Sequence, residues 1–523
     1  MTKDSIAPDT VWQEYEAGRA FKRQINLYET VRNNENFYVG KQWEGVQANG
    51  LPTPVFNFIR RIVLFLVAST ATDNLKINAS PLSAGGGGSA QDLERLCAVV
   101  NAQLEATAED NRLGKLTREL ARNAAVDGDG CLYAWFDPQA DTGQEARGAI
   151  RTEVLENTRV HFGDPNSRDV QSQPYLILSR REGVEQVSAR ADTFGGESDR
   201  IVPDSADDPD NPMRRGEGGK CTTLLRLWRE EDTGTIWACE CTRSALVRPP
   251  WDTGQRCYPI VWMPWDYVQD CYHGVAAVTG LIPNQIFVNK LFAMTMISLM
   301  TTAYPKVIYD KTRVARWDAR VGTAIGVNGG DVAGVARTLD PATISPQVAQ
   351  FMDLAVSLTK EFSGATDTAL GNVRPDNTSA IIALQKASGV PLELVKQSFY
   401  QCVEELGRIW LDLMRAYYGR RWVRPDRSDG VAEIFDFSAL EDISLTLRLD
   451  VGGSSYWSEI AQMNTLDNLL AQGKIDVVDY LERVPNGYIA DQQQLIDALR
   501  ERASQAAAQM AAQAAGGEGG AVS

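Results

Sequence analysis

The sequence predicts an α+β fold, and two observations lead to that prediction. Apolar residues recur at helical spacing over residues 10–40, 90–125 and 378–418, whereas residues 149–265 consist mainly of short β-like runs. The chain has 523 residues, of which 44% are hydrophobic, and single cores stop growing well below this length. We therefore expect a multidomain subunit.

The N-terminal part is predicted to be mostly helical. One amphipathic helix is expected over residues 10–40, and another begins near Phe56. Gly85 to Gly88 form a flexible break before the helical pattern of residues 90–125. The turn Asp127-Gly128-Asp129-Gly130 then introduces a strand over 131–136.

The middle of the chain is predicted to be sheet with one large insertion. Strands are expected over residues 224–229, 235–241 and 259–262. Residues 195–220 are rich in Gly, Asp, Pro and Arg, so they lack the apolar surface needed to order themselves. We expect an exposed, flexible loop there.

Two helices of different character follow. The run from Pro283, expected in the first turn, to Ala303 is apolar on nearly every side and should be buried all round. The second helix begins with Ser345 as N-cap and Pro346 in its first turn. Its apolar stripe is formed by Val348, Phe351, Ala355, Leu358 and Phe362, and its polar face by Gln350, Asp353, Ser357 and Lys360.

The remainder of the chain is predicted to be mostly helical. Residues 364–377 lack periodicity and form a loop, and a long helix follows from residue 378 with a kink at Pro391. A strand over 443–451, helices over 454–470 and 477–481, and an Ala- and Gln-rich end complete the chain.

The charge and the cysteines limit the function classes. The formal charge of −16 has the wrong sign for tight binding of phosphate backbones, so any DNA contact should be loose. Eight cysteines spread through a long chain are expected to be reduced thiols. Neither the Cys239-x-Cys241 spacing nor the Asp127–Gly130 turn matches an established metal pattern, so we expect no metal and no cofactor.

No catalytic constellation is visible in the sequence. There is no Gly-Lys-Ser/Thr phosphate cradle, and His161 and His273 lie far apart with no nucleophile motif nearby. We therefore expect a protein that is not an enzyme.

No membrane span or secretion signal is predicted. The apolar run over residues 291–303 is too short to cross a bilayer, and the run over 55–71 is interrupted by Arg60 and Arg61. The first 20 residues lack the apolar core of a signal peptide.

Several short motifs, taken in order, resemble the portal proteins of tailed bacteriophages. They are Tyr38-Val39-Gly40-Lys41-Gln42-Trp43 with Val55-Phe56-Asn57, then His273-Gly274 through Leu281-Ile282-Pro283-Asn284-Gln285 to Asn289, Asn377-Thr378-Ser379-Ala380, and Gly473-Lys474-Ile475. The resemblance covers most of the chain. It implies a ring, typically dodecameric, that carries double-stranded DNA into and out of the capsid.

The resemblance also implies a division of the chain into the portal-protein parts. An α/β wing would span 1–280, stem helices 281–303 and 345–363, a β-containing clip 304–344, a tunnel loop 364–377, a long kinked wing helix 378–419, the rest of the wing 420–463, and a helical crown with a low-complexity tail 464–523. Gln350, Asp353, Ser357 and Lys360 would line the channel. The tunnel-loop residues near DNA would be Asp367, Asn372, Arg374, Asp376 and Asn377.

Partners and location follow from the same resemblance. Expected partners are further copies of the chain, DNA, the terminase large subunit, major capsid and scaffolding proteins, and head-completion or adaptor proteins, with no membrane. The location would be the portal vertex of the virion, after synthesis in the host cytoplasm. The alternatives are another multimeric virion or membrane-associated scaffold protein and, third, a DNA-processing enzyme.

Overall fold

The fold divides into two compact units. Residues 1–72 and 76–450 form unit 1, and residues 73–75 and 451–523 form unit 2. The structure is a computed structural model, and its mixture of helix and sheet confirms the α+β class. It describes residues 6–71, 75–81, 90–211, 214, 216, 218–303, 306–318, 320, 323–338, 347–364, 378–425, 432–442, 445–451, 456–484 and 495–500.

Two helices, rather than the single one expected, open unit 1. Helix α1 spans Pro8–Gln24 and α2 spans Leu27–Val39. Asn26 between them has a left-handed backbone with φ 58°, a conformation that asparagine adopts more readily than most residues. The prediction of one helix over 10–40 was wrong because periodicity alone does not register one left-handed residue.

Three helices and one strand follow. Helix α3 spans Phe58–Ala71, strand β1 Leu75–Pro81, α4 Ala90–Asp110 and α5 Leu113–Asp127. The helical pattern predicted over 90–125 is interrupted at Arg112, which is also left-handed. Helix α5 packs on the strand that directly follows it, β2 (Asp129–Asp137), through a buried apolar face that includes Leu120, Ala121 and Ala124.

Two antiparallel sheets form the body of unit 1. The three-stranded sheet has the order β3-β2-β9, and the five-stranded sheet has the order β4-β5-β6-β7-β8. The strands are β2 Asp129–Asp137, β3 Ala149–Leu155, β4 Val160–Phe162, β5 Tyr175–Gly183, β6 Lys220–Arg229, β7 Ile236–Cys241, β8 Leu246–Asp252 and β9 Ile260–Pro264, and α6 spans Val184–Phe194. Their shared core contains Tyr258, Trp262 and Tyr272. The predicted strands around 224–262 are confirmed.

The insertion between α6 and β6 is not simply an exposed loop. Asp208 and Asp210 are only 5% and 1% exposed. Asp208 forms a 2.6 Å ion pair with Arg159, and Asp210 accepts hydrogen bonds from Tyr15 and Tyr28 of the N-terminal helices. The prediction of a segment unable to order itself was wrong here because buried polar bonds, rather than apolar burial, hold these two residues.

A helical hairpin extends the chain after the sheets. Helix α7 spans Ala277–Ala303, strand β10 Val307–Tyr309, β11 Ala336–Thr338 and α8 Gln347–Phe362, with β10 and β11 antiparallel. Pro283 lies inside α7 rather than in its first turn, because buried Val278, Leu281 and Ile282 keep the preceding residues helical. Ser345 and Pro346 lie outside the described residues.

The last elements of unit 1 are one long helix and three short strands. Helix α9 spans Thr378–Tyr417, and it is followed by β12 Arg420–Val423, β13 Glu433–Asp436 and β14 Leu445–Val451. Most of β14 belongs to unit 1. Buried Phe399, Leu406 and Trp410 anchor α9. The kink at Pro391 stays a prediction.

Unit 2 is helical in its described residues. Helix α10 spans Tyr456–Ala471 and α11 spans Val477–Arg483, and residues 495–500 are also helical. Gly473, with φ 65°, follows α10, and the carboxylate of Asp476 accepts a hydrogen bond from the first amide of α11.

Candidate functional site

The hairpin of α7 and α8 is the candidate site, and buried amides fix its base. Gln285 Oε1 accepts from the Phe58 amide at 3.2 Å and the Ile59 amide at 3.5 Å, and its Nε2 donates to Phe56 O at 2.8 Å. One turn along α7, Asn289 Nδ2 donates to Gln42 Oε1 at 2.6 Å. The start of α3 and the preceding loop are therefore bonded to one side of α7.

The turn between α5 and β2 fixes the chain just before α7. Asp129 Oδ2 lies 2.7 Å from His273 Nδ1, and Asp129 Oδ1 accepts from the Gly274 amide at 2.7 Å. Gly128 has φ 104°, and a Cβ there would lie 2.9 Å from Gly274 O. The carboxylate-rich turn thus positions the residues that lead into α7. A side chain at position 128 would clash with the backbone of Gly274.

Helix α8 presents three distinct faces. The first packs on α7 and contains buried Thr359 and half-buried Met352 and Ala355. The second is exposed and polar, and consists of Gln350, Asp353, Ser357 and Glu361. The third is exposed and apolar, and consists of Phe351, Leu354 and Leu358, which are 56%, 53% and 38% exposed.

This arrangement corrects the predicted apolar stripe of α8. Ala355 faces α7 as expected, but Phe351 and Leu358 point away from the rest of the subunit. The stripe is therefore divided between an internal contact and an apolar surface that the subunit does not cover. Apolar residues at helical spacing predict that this side of the helix packs against something, but they do not identify the partner.

The outer half of α7 is also uncovered within one subunit. Met294, Leu299 and Met300 are 57%, 58% and 53% exposed, and the buried residues of α7 end at Asn289. The predicted burial on every side is therefore not met by the single chain. The aromatic ring of Phe292 stacks on that of Phe56 with centroids 3.9 Å apart, which extends the apolar surface toward the N-terminal loop.

Among the described residues, α7 has the length and composition that a membrane-crossing helix requires. The sequence estimate from residues 291–303 was too short because the helix begins at Ala277.

The predicted channel residues fall into two groups. Gln350, Asp353 and Ser357 share the exposed polar face of α8, and half-buried Lys360 lies at the margin of that face. Asp367, Asn372, Arg374, Asp376 and Asn377 of the predicted tunnel loop lie outside the described residues. Gln285 and Asn289 were noted in the sequence only as part of a motif, and their role in fixing the base of the hairpin was missed. The available signal was two amide side chains one turn apart in an apolar helix.

Both histidines of the chain lie in one buried polar region next to α1, although they are far apart in sequence. Lys22 is fully buried, and its ammonium donates to the carbonyl oxygens of Asn157, Thr158 and Val160 at 2.7 to 3.0 Å. Burial lowers the pKa of Lys22 to about 7, and burial together with the Lys22 charge lowers the pKa of His161 to about 4.

The geometry of this region does not favour catalysis. His161 Nε2 is 3.8 Å from Asp210 Oδ2, and no Ser or Cys nucleophile bonds either ring in the described residues. The Tyr15 ring packs edge-on against the His161 ring, which closes the region from solvent.

The cysteines are free, and Cys239 and Cys241 are fully buried in β7. Burial raises the pKa of Cys239 to about 12, so its thiol is a poor metal ligand and nucleophile near neutral pH. Within the described part of the chain, no group of three or more His, Cys, Asp or Glu side chains could hold a metal ion.

The β-containing body carries a hairpin whose polar and apolar faces are left uncovered, which is the surface expected of a structural subunit that packs against other chains. The chain matches the model of the phage P22-like portal protein family over residues 180–478, from β5 to α11 and more than half of its length. It belongs to that family and is a portal protein of a tailed phage, as its sequence motifs predicted. No curated protein matches it.

Membership in this family establishes the general role of the protein. Portal proteins of this family are structural rather than enzymatic, and they form a multimeric ring in the phage head, with capsid and terminase partners. This chain is therefore a virion component of a capsid vertex.

Proposed function

We propose that twelve copies of the chain form a ring whose bore carries double-stranded DNA into the capsid during packaging and out during ejection. The observation that supports this most directly is the exposed polar face of α8, formed by Gln350, Asp353, Ser357 and Glu361, beside a separate apolar face. A helix with these two faces can turn one toward water in a bore while the other packs on a neighbour.

Electrostatics support a sliding contact with DNA. Each subunit carries a formal charge of −16, and the polar face of α8 includes the carboxylate of Asp353. A negative bore repels the phosphate backbone and forms few contacts that release counterions, so the duplex moves without sticking. Gln350 and Ser357 offer neutral hydrogen-bonding groups on the same face.

The remaining parts take the roles that portal architecture implies. The clip, 304–344, would meet the terminase large subunit and later the head-completion or adaptor proteins, and β10 and β11 give it a short antiparallel pair. The wing would contact major capsid and scaffolding proteins. Residues 364–377 would form the tunnel loop at the closest approach to DNA, and residues from 464 the crown.

A membrane-associated scaffold is the second candidate, and the length and composition of α7 favour it. The packing of α7 argues against it, because residues 278–289 contribute to the subunit core. The remaining residues 290–303 would span about 21 Å at about 1.5 Å per residue, less than the roughly 30 Å of a bilayer core.

Electron microscopy of the purified chain tests the proposal. Rings with a central opening wide enough for duplex DNA are expected, together with an absence of ATPase and nuclease activity. A chain that stays monomeric under every assembly condition would contradict it, and insertion into liposomes would favour the scaffold. Deletion of residues 366–376 should impair packaging or genome retention, and unchanged values of both would remove the tunnel loop from the proposal.

A further inference from the structure

Residues of α7 form a line of exposed side chains near its middle. Phe287, Lys290 and Met294 are spaced so that they share one face of the helix, and all three are exposed. Lys290 forms no ion pair with any residue that the structure describes. The line is therefore apolar with one positive charge in it.

The apolar face of α8 has a carboxylate at its edge. Phe351, Leu354 and Leu358 are exposed, and Glu361 follows Leu358 by one turn at the border between the apolar and polar faces. Glu361, like Lys290, has no ion-pair partner among the described residues. The two helices thus carry apolar surfaces of the same kind with charges of opposite sign.

The two surfaces also match in height along the hairpin. Helix α7 ends at Ala303 and α8 begins at Gln347, on either side of the β10–β11 pair. At about 1.5 Å per residue, Lys290 lies about 20 Å from this end and Glu361 about 21 Å. Met294 lies about 14 Å from it, between Leu354 and Leu358 at about 11 and 17 Å.

We propose that the exposed line of α7 in one copy packs on the apolar face of α8 in the next copy, with Lys290 paired to Glu361 across the interface. The occupant is a second copy of this chain because one subunit carries both halves of a complementary surface, which gives a head-to-tail contact that closes into a ring. The inference rests on the proposed ring and names the residues that join it.

Charge exchange tests the pair. Lys290→Glu and Glu361→Lys should each reduce the fraction of chain in rings at least tenfold, measured by native mass spectrometry, because each places like charges together. The double variant Lys290→Glu with Glu361→Lys should restore assembly. Asp353→Lys, a matched charge reversal on the polar face of the same helix, should assemble like the unaltered chain.

Cross-linking gives a second measurement that does not depend on charge. Met294→Cys combined with Leu358→Cys should yield a ladder of covalent dimers and higher oligomers under mild oxidation, and either single variant should not. If unaltered rings form but neither charge reversal lowers assembly and no ladder appears, the interface is wrong and the proposed function stands. If the unaltered chain forms no ring, the proposed function itself fails.

Discussion

The Tyr15 hydroxyl donates a 2.7 Å hydrogen bond to Asp210 Oδ2, joining residues 195 positions apart. Tyr15 lies on α1, and Asp210 lies in the insertion before β6. The same carboxylate accepts from Ser179 of β5 and lies 3.5 Å from the guanidinium of Arg19. One buried carboxylate therefore ties the N-terminal helix, the sheet and the insertion together.

Replacing this carboxylate should loosen all three elements. Asp210→Asn keeps the shape but removes the charge that faces Arg19, Lys22 and the Tyr15 hydroxyl. We expect unfolding to become easier by about 3 kcal/mol, since breaking a buried charged network leaves its partners unpaired. Thermal unfolding measures this, and exposed Asp207→Asn should stay within about 0.5 kcal/mol of the unaltered chain. Equal thermal unfolding midpoints for the two variants would contradict the role of Asp210 in holding these elements together.

His161 should make the protein sensitive to acid. Its pKa is lowered to about 4 by burial and the Lys22 charge, whereas an unfolded histidine titrates near 6.5. Between these values the unfolded chain binds more protons, so stability falls as the pH drops from about 6.5 to about 4, by up to about 3 kcal/mol. Asp210, whose pKa is lowered by its partners, adds to this only below about pH 4.

The pH dependence of the unfolding midpoint measures this effect. His161→Gln, which cannot titrate, should flatten the slope between pH 6.5 and 4 without abolishing it, because the pKa of buried His273 is lowered as well. Identical slopes for the variant and the unaltered chain would show that His161 does not carry the effect.

Helices and strands with a strong periodicity could be predicted from the sequence. Segments held in place by polar bonds between distant residues could not. The run of residues 224–229 predicts β6 because a short segment rich in Leu and Trp can be recognised as a strand without distant information. Asp210 looked like a solvated residue of an acidic loop, since nothing local indicates that Tyr15 and Tyr28 would bond it. The composition of a segment indicates how much apolar surface it can bury, but not whether its polar side chains form buried hydrogen bonds with distant residues.

The candidate site shows the same limit. The polar face of α8 was predicted from spacing, and Gln350, Asp353 and Ser357 are indeed exposed together. The division of the apolar residues between α7 and open solvent was not predictable, because the periodicity of a helix does not tell which part of an apolar stripe the subunit itself covers. Phe351 and Ala355 are therefore equivalent in sequence and different in the structure.

Gln285 should be needed to hold the base of the hairpin. Gln285→Leu would leave the amide of Ile59 without its acceptor and weaken the bonding of the Phe58 amide at the start of α3. We expect a loss of about 2 kcal/mol, typical of a buried donor left unsatisfied. Thermal unfolding, with faster hydrogen exchange of these amides, measures it. Exposed Asn284→Leu makes the same chemical change one residue away and should have little effect, so equal losses would argue against this role.

A positive charge on the polar face of α8 should make the bore adhesive to DNA. Asp353→Lys replaces an exposed carboxylate with an ammonium on each copy and leaves the apolar face unchanged, so rings should still assemble. Each additional phosphate that the new ammonium groups neutralise should steepen the dependence of log affinity on log salt by about 0.9. Duplex binding to purified rings and the packaging rate measure the two consequences: tighter binding at low salt that disappears as salt rises, and slower packaging. Asp207→Lys makes the same charge change at an exposed position of the insertion before β6. An equal change in that variant would mean that the overall charge of the ring, and not the polar face of α8, determines the contact with DNA.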